Sequence, residues 1–194
     1  DRDGCAAVLA EATDASTPMV TDAELGDALN TLSELPVPII IDCSGRQRVD
    51  LYRRALAMGV HVVASSINSL AALPMDVIAR AQQPAMVPGR ERGILAGDSA
   101  VGASLPVLET LRRLLRTGDN ITRLECCLSG SLGIVCNAVS RGTPLDEALA
   151  SAMEAGVTEP NPWEDLSGRD TARKLLVVAS YLGYRVSLAD VQVT

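Results

Sequence analysis

An α/β fold is predicted by three features of the 194-residue chain. Short apolar runs of strand length alternate with segments of helical periodicity. The runs are bounded by Gly, Ser and Pro, and two of them, VPIIID and VHVVA, lie one helix length apart. With 47% hydrophobic and 21% charged residues, the chain can bury a core sized for one or two domains.

Thr21 with Glu24 forms a capping box and opens a helix that runs to about Ser33. VPIIID follows as a short, fully apolar strand of the kind buried in parallel sheets. A helix from about Arg48 to Met58 stops at Gly59, so the strand His61–Ala64 returns parallel to the first in a right-handed βαβ unit. Pro74 opens a helix to about Gln82, and the stretch to Arg92 reads as a loop and a domain boundary. A short strand near Ile94 leads through GDSAVGAS into a helix from Leu105 to about Leu115, with a strand expected over Thr122–Leu128. A helix from near Ser131 is followed by one over Pro144–Ala155, with Thr143 as N-cap and Gly156 as stop. The last helix is expected to begin at Gly168 behind an N-cap at Ser167 and to end before Gly183, with a closing strand at Val191–Val193. No internal repeat or low-complexity tract is present.

The net charge of −7 and the absence of a basic run argue against a nucleic-acid partner. An aromatic content of 2%, with no Phe, leaves almost nothing to stack on bases. No run approaches the ~20 apolar residues of a membrane span. No leader is visible, although a chain that begins at Asp1 says little on that point. The five cysteines show no metal spacing, and reduced thiols in a cytoplasmic or organelle-matrix compartment are the simplest account. Cys126 and Cys127, on opposite faces of the expected strand, read as buried small hydrophobes. His61, the only histidine, reads as packed within its strand.

Chemistry concentrates in TEPNPWEDLSGRDTARK, Thr158–Lys174. Pro160 and Pro162 are expected to hold Glu159 on an extended arm. Asp170 and Lys174 are four apart and share a helix face, while Glu164 and Asp165 precede the helix where its positive end favours anions. The plain alternative is a surface ion pair contributing ~0.3–0.5 kcal/mol.

This string resembles the homoserine dehydrogenase signature, approximately TEPDPRDDLSGxDVARK. The resemblance extends to GDSAVGASLP (Gly97–Pro106), to TGDNI (Thr117–Ile121), to LSGSLG (Leu128–Gly133), and to IIIDCSG (Ile39–Gly45) with GVHVVA after it. It covers about two thirds of the chain, and the last third is most similar to the dehydrogenase half of bifunctional aspartokinase enzymes. A partial Rossmann-like nucleotide-binding domain over residues 1–92 is thereby implied, followed by an α+β catalytic and dimerisation domain over 93–194.

The resemblance implies reversible reduction of aspartate semialdehyde to homoserine with NADP or NAD, an amino-acid biosynthesis step leading to threonine and methionine. Lys174 and Asp170 are implied as catalytic, and Glu159 and Asp165 as binding the substrate ammonium. Cys43, Ser44 and Gly45 are implied to line the cofactor; a strand-to-helix turn capped by Ser44 is the open alternative. Asp98, Val101, Ala103 and Leu105 are implied to hold Na+ or K+. A homodimer or a place in a larger assembly is also implied.

Departures bear on activity. The family's PNK lysine falls in ASSIN, Ala64–Asn68, which has none, and no GxGxxG turn is present. Asn161 and Trp163 replace a signature acid and arginine, and Asp98 stands for a glutamate. The missing first βα unit reads as truncation or degeneration of the chain. An active dehydrogenase and a catalytically inactive structural or regulatory subunit therefore both remain open.

Overall fold

The computed structural model describes residues 22–82, 92–158 and 162–192, and its chain divides into two compact units between Gly97 and Asp98. The division lies beyond the expected 92/93 boundary because Leu95–Ala96 pairs into the first unit's sheet.

The first unit runs α1 (Asp22–Leu32), β1 (Ile39–Asp42), α2 (Val49–Ala57), β2 (His61–Ala64), α3 (Ile67–Ala72), α4 (Met75–Gln82) and β3 (Leu95–Ala96). The strands are parallel in the order β1-β2-β3, with Asp42 opposite Ala64. Val62, Ala64 and Leu95 of the sheet are buried, as are Tyr52, Ala55 and Leu56 on α2, Leu29, Leu70 and Ile78. Gly93 is required where the backbones meet, since a Cβ there would lie 2.1 Å from the Val60 carbonyl oxygen. The parallel return after α2 is as expected from sequence. β1 is not fully buried: among the described strands it lies at an edge, and Ile39 and Ile41 are exposed. α3, at six residues, is too short to show a helical period in the sequence. Thr21, the expected cap of α1, lies outside the described residues.

The second unit runs α5 (Asp98–Gly102), α6 (Val107–Arg116), α7 (Gly130–Ser140), α8 (Leu145–Glu154), α9 (Pro162–Leu166), α10 (Arg169–Tyr181) and a 3-10 turn at Leu188–Asp190. Leu176, Val177, Val178 and Tyr181 give α10 its buried face, and Leu108 and Leu111 give α6 one. α7 and α8 form a hairpin around Val135, Ala148 and Ala152. This unit holds no strand among the described residues. Residues 122–128 have no ladder partner, and Cys126 and Cys127 are exposed rather than buried. An apolar alternating sequence cannot satisfy its backbone as a strand without a neighbour to pair with. Val191 and Gln192 are likewise irregular, and Val193 lies outside the described residues.

Ser167 does not cap α10. The cap position is Gly168, at φ 70°, and the Ser167 hydroxyl donates instead to the Glu164 carbonyl. The signature thus makes two helices, α9 and α10, joined through one left-handed residue that glycine adopts without Cβ strain.

Candidate active site

The left-handed turn at Gly168 lets α9 and α10 present Asp165 and Asp170 to the second unit's interior, where both are buried. The Lys174 ammonium lies 2.7 Å from Asp170 Oδ2 and donates to the Leu128 carbonyl at 3.0 Å. The side chains of Lys174 and Asp170 are 18% and 6% exposed, so the pair is an interior one and not the surface pair left open above. Lys174 is also the only lysine in the sequence.

Asp165 Oδ1 accepts from the Ser131 hydroxyl at 2.6 Å. Ser131 in turn meets Ser129 Oγ at 3.0 Å, and Ser129 Oγ caps α7 by accepting from Leu132 N. One turn, Leu128–Ser131, therefore holds both Lys174 and Asp165. LSGSLG resembles a family motif, but the resemblance assigns Leu128, Ser129 and Ser131 no role. Two hydroxyls flanking a glycine just before a helix were the available signal. On the outer side, Glu164 pairs with Arg173 and lies 4.0 Å from Arg169. Trp163 is 62% exposed, so it fills no core position. Glu159, Pro160 and Asn161 lie outside the described residues.

Two carboxylates and one ammonium in poorly solvated surroundings can hold a charged small molecule and move a proton. Lys174, Asp170 and Asp165 are brought together around the Leu128–Ser131 turn.

The expected cofactor edge lies at the carboxyl end of β1, the usual ligand side of a parallel sheet. Asp42 Oδ1 accepts from both Ser44 N and Ser44 Oγ, at 2.8 and 2.7 Å, which closes a tight turn. Both Ser44 donors are thereby engaged, and the residue caps no helix; its oxygen retains acceptor capacity. Asp42 Oδ2 accepts from the buried Tyr52 hydroxyl at 2.6 Å. Burial first, and then this bond, push the Tyr52 pKa above the usual range. Ser69 Oγ and Ser66 Oγ donate to the Arg46 carbonyl, bracing the loop from α3. Cys43 is exposed and open space surrounds Gly45, so the loop can receive a ligand on that side. His61 is half-buried in β2, with Nδ1 accepting from Ile94 N at 3.0 Å.

In the expected cation segment, Asp98 Oδ1 accepts from Glu109 N at 2.9 Å and so anchors the first turn of α6. Val101 is buried in α5, and Leu105 is exposed while its amide donates to the Gly102 carbonyl at 2.8 Å. Ala103 lies at φ 51°, in a left-handed conformation that disfavours any residue with a Cβ. Among the described residues no cluster of three or more His, Cys, Asp or Glu could hold a metal.

Residues 106–194 match the family model described as homoserine dehydrogenase. The chain is 38% identical over 157 residues to the bifunctional aspartokinase/homoserine dehydrogenase of Haemophilus influenzae, an overlap of 80% of this chain and 19% of that protein. Over residues 106–194 the chain carries a homoserine dehydrogenase family domain. It is also 35% identical over 178 residues to the chloroplastic bifunctional aspartokinase/homoserine dehydrogenase 2 of Zea mays, over 88% of this chain and 19% of that one. A hyperthermophilic archaeal homoserine dehydrogenase solved with NADPH superposes at a TM-score of 0.65 with 24% identity, covering 84% of this chain and 51% of that one. That likeness shows the α/β, Rossmann-like fold. The chain spans about a fifth of the length of these curated relatives. No described helix is long and apolar enough to cross a membrane.

Proposed function

We propose that the protein is an NAD(P)-dependent oxidoreductase interconverting aspartate semialdehyde and homoserine, with the amino-acid site in the second unit. The pair of part-buried Lys174 and buried Asp170, held on the Leu128 carbonyl, carries this reading. An interior ion pair is costly to maintain for stability alone, since apolar residues of similar volume usually serve as well.

Asp165 and Asp170, with Glu159 before them, bind the substrate ammonium. Lys174 supplies positive charge beside the oxygen that becomes an alkoxide and the proton that quenches it. A bound NADPH or NADH would supply the hydride for reduction of the aldehyde, and NADP+ or NAD+ would accept it in the reverse direction. The open rim at Cys43 and Gly45 receives it, with the Ser44 oxygen as an acceptor. A Na+ or K+ would be held by the carbonyls of Val101, Ala103 and Leu105 with Asp98. The free, exposed thiols of Cys43, Cys126, Cys127 and Cys136 support a reducing compartment, cytoplasmic or organellar. A homodimer or larger assembly, formed through the second unit, completes the reading.

The second reading, an inactive structural or regulatory homologue, is favoured by one observation. The stretch that carries the PNK lysine in the family here runs into α3, with Ser66 at its N-cap and no lysine. Homoserine oxidation with NADP+ and NAD+ separates the two. The dehydrogenase reading expects turnover that falls by about 10²-fold or more in Lys174→Ala, the usual scale for a lost proton-transfer group. A folded protein that binds neither nucleotide supports the second reading.

A further inference from the structure

We infer that Ser131 is a positioning residue, its hydroxyl fixing the Asp165 carboxylate in the orientation that receives the substrate ammonium; this rests on the dehydrogenase reading above. Ser131 has a single hydroxyl proton, and it goes to Asp165 Oδ1 at 2.6 Å. The contact with Ser129 Oγ at 3.0 Å must then run from Ser129 to Ser131. Ser129 Oγ itself accepts from Leu132 N at 3.2 Å. The three bonds point one way, from the first turn of α7 through two hydroxyls to the carboxylate. Chains aligned in this manner polarise one another where solvent is excluded. Ser129, Ser131 and Asp165 are all buried, so water does not compete for these groups. The same turn, one residue before Ser129, holds Lys174 through the Leu128 carbonyl. The separation between the ammonium and the Asp165 carboxylate is therefore set by the turn and not by α9 alone.

A carboxylate that loses this donor keeps its charge, and its plane is held by one hydrogen bond fewer. The loss should weaken binding of the amino group while leaving the nucleotide edge in the first unit unaffected. The test compares Ser131→Ala and Ser131→Thr with wild type, reading KM and kcat for homoserine and Kd for NADPH, with thermal unfolding to verify folding. Ser131→Ala is expected to raise the homoserine KM by about 10-fold or more, the usual scale for a hydrogen bond to a charged group. It should change kcat by less than about twofold, as removal of uniform binding does. Ser131→Thr, which keeps the hydroxyl, should restore KM, and Kd for NADPH should hold throughout. An unchanged KM in Ser131→Ala overturns the inference. So does an equal rise in KM and NADPH Kd, or a Thr variant as impaired as Ala. If the wild type binds NADPH but no homoserine, the dehydrogenase reading fails, and this inference with it.

Discussion

The Lys174 ammonium donates to the carbonyl of Leu128, 46 residues earlier in the chain, at 3.0 Å while pairing with Asp170 at 2.7 Å. A local helix pair is thus tied to a distant turn, and the charge of Lys174 is fixed in space by partners that neither α10 nor the turn could supply alone.

Breaking this pair from one side should be costly. Lys174→Met or Asp170→Leu alone leaves the other charge buried and is expected to destabilise by about 3 kcal/mol, whereas the double substitution should recover most of that loss. Urea unfolding of the four proteins checks it. Additive losses would mean that the two charges are independent.

Gly168 carries a conformational requirement as well as a place in the signature. At φ 70° it has no Cβ to clash, so Gly168→Ala should cost about 1–2 kcal/mol and Gly168→Asn less. Thermal or denaturant melts measure this. An Ala variant as stable as wild type would mean that the α9 to α10 junction is not held in the left-handed region.

Ser129 caps α7 through Leu132 N. Ser129→Ala is expected to lose about 1 kcal/mol by denaturant unfolding, and Ser129→Thr to lose less, because a threonine hydroxyl can still accept from Leu132 N and donate to Ser131.

Alkaline pH should expose the buried phenols. Burial pushes the Tyr181 pKa up to about 12, against the pull of the Arg112 guanidinium stacked 5.4 Å from its ring centre. An unfolded tyrosine loses its proton near 10, so the folded state holds the extra proton between pH 10 and about 12. The stabilisation is complete below pH 10 and is lost as pH rises through that window. Tyr52 is shifted in the same direction, by burial and then by its bond to Asp42. Tyrosinate absorbance, assigned with Tyr52→Phe and Tyr181→Phe, should show neither phenol ionising near 10 in folded protein. Tyr181 ionising there would contradict its burial.

Much of this was legible in local patterns. The parallel strands Ile39–Asp42 and His61–Ala64, and the helix stops at Gly59, Gly156 and Gly183, follow from apolar runs and glycines whose positive φ the structure retains. The Asp170–Lys174 spacing placed the pair on one face, but only tertiary packing could tell an interior pair from a surface one. The expected strand over 122–128 failed because pairing is a property of two segments, and periodicity reports one. The links from Ser131 to Asp165 and from Leu128 to Lys174 span 34 and 46 residues, so no local window contains them. Ser44 went to Asp42, a partner two residues away, because an aspartate before a turn competes for nearby donors.

The most direct test of the substrate site uses the single lysine. Protein grown with lysine labelled at Cε and Nζ carries one lysine signal, that of Lys174, and homoserine is titrated against it with and without NADP+. The account predicts a saturable shift of that signal that is weakened in Asp170→Asn and Asp165→Asn. A folded protein whose Lys174 signal does not respond to homoserine, while it binds nucleotide, would contradict a substrate site at this pair.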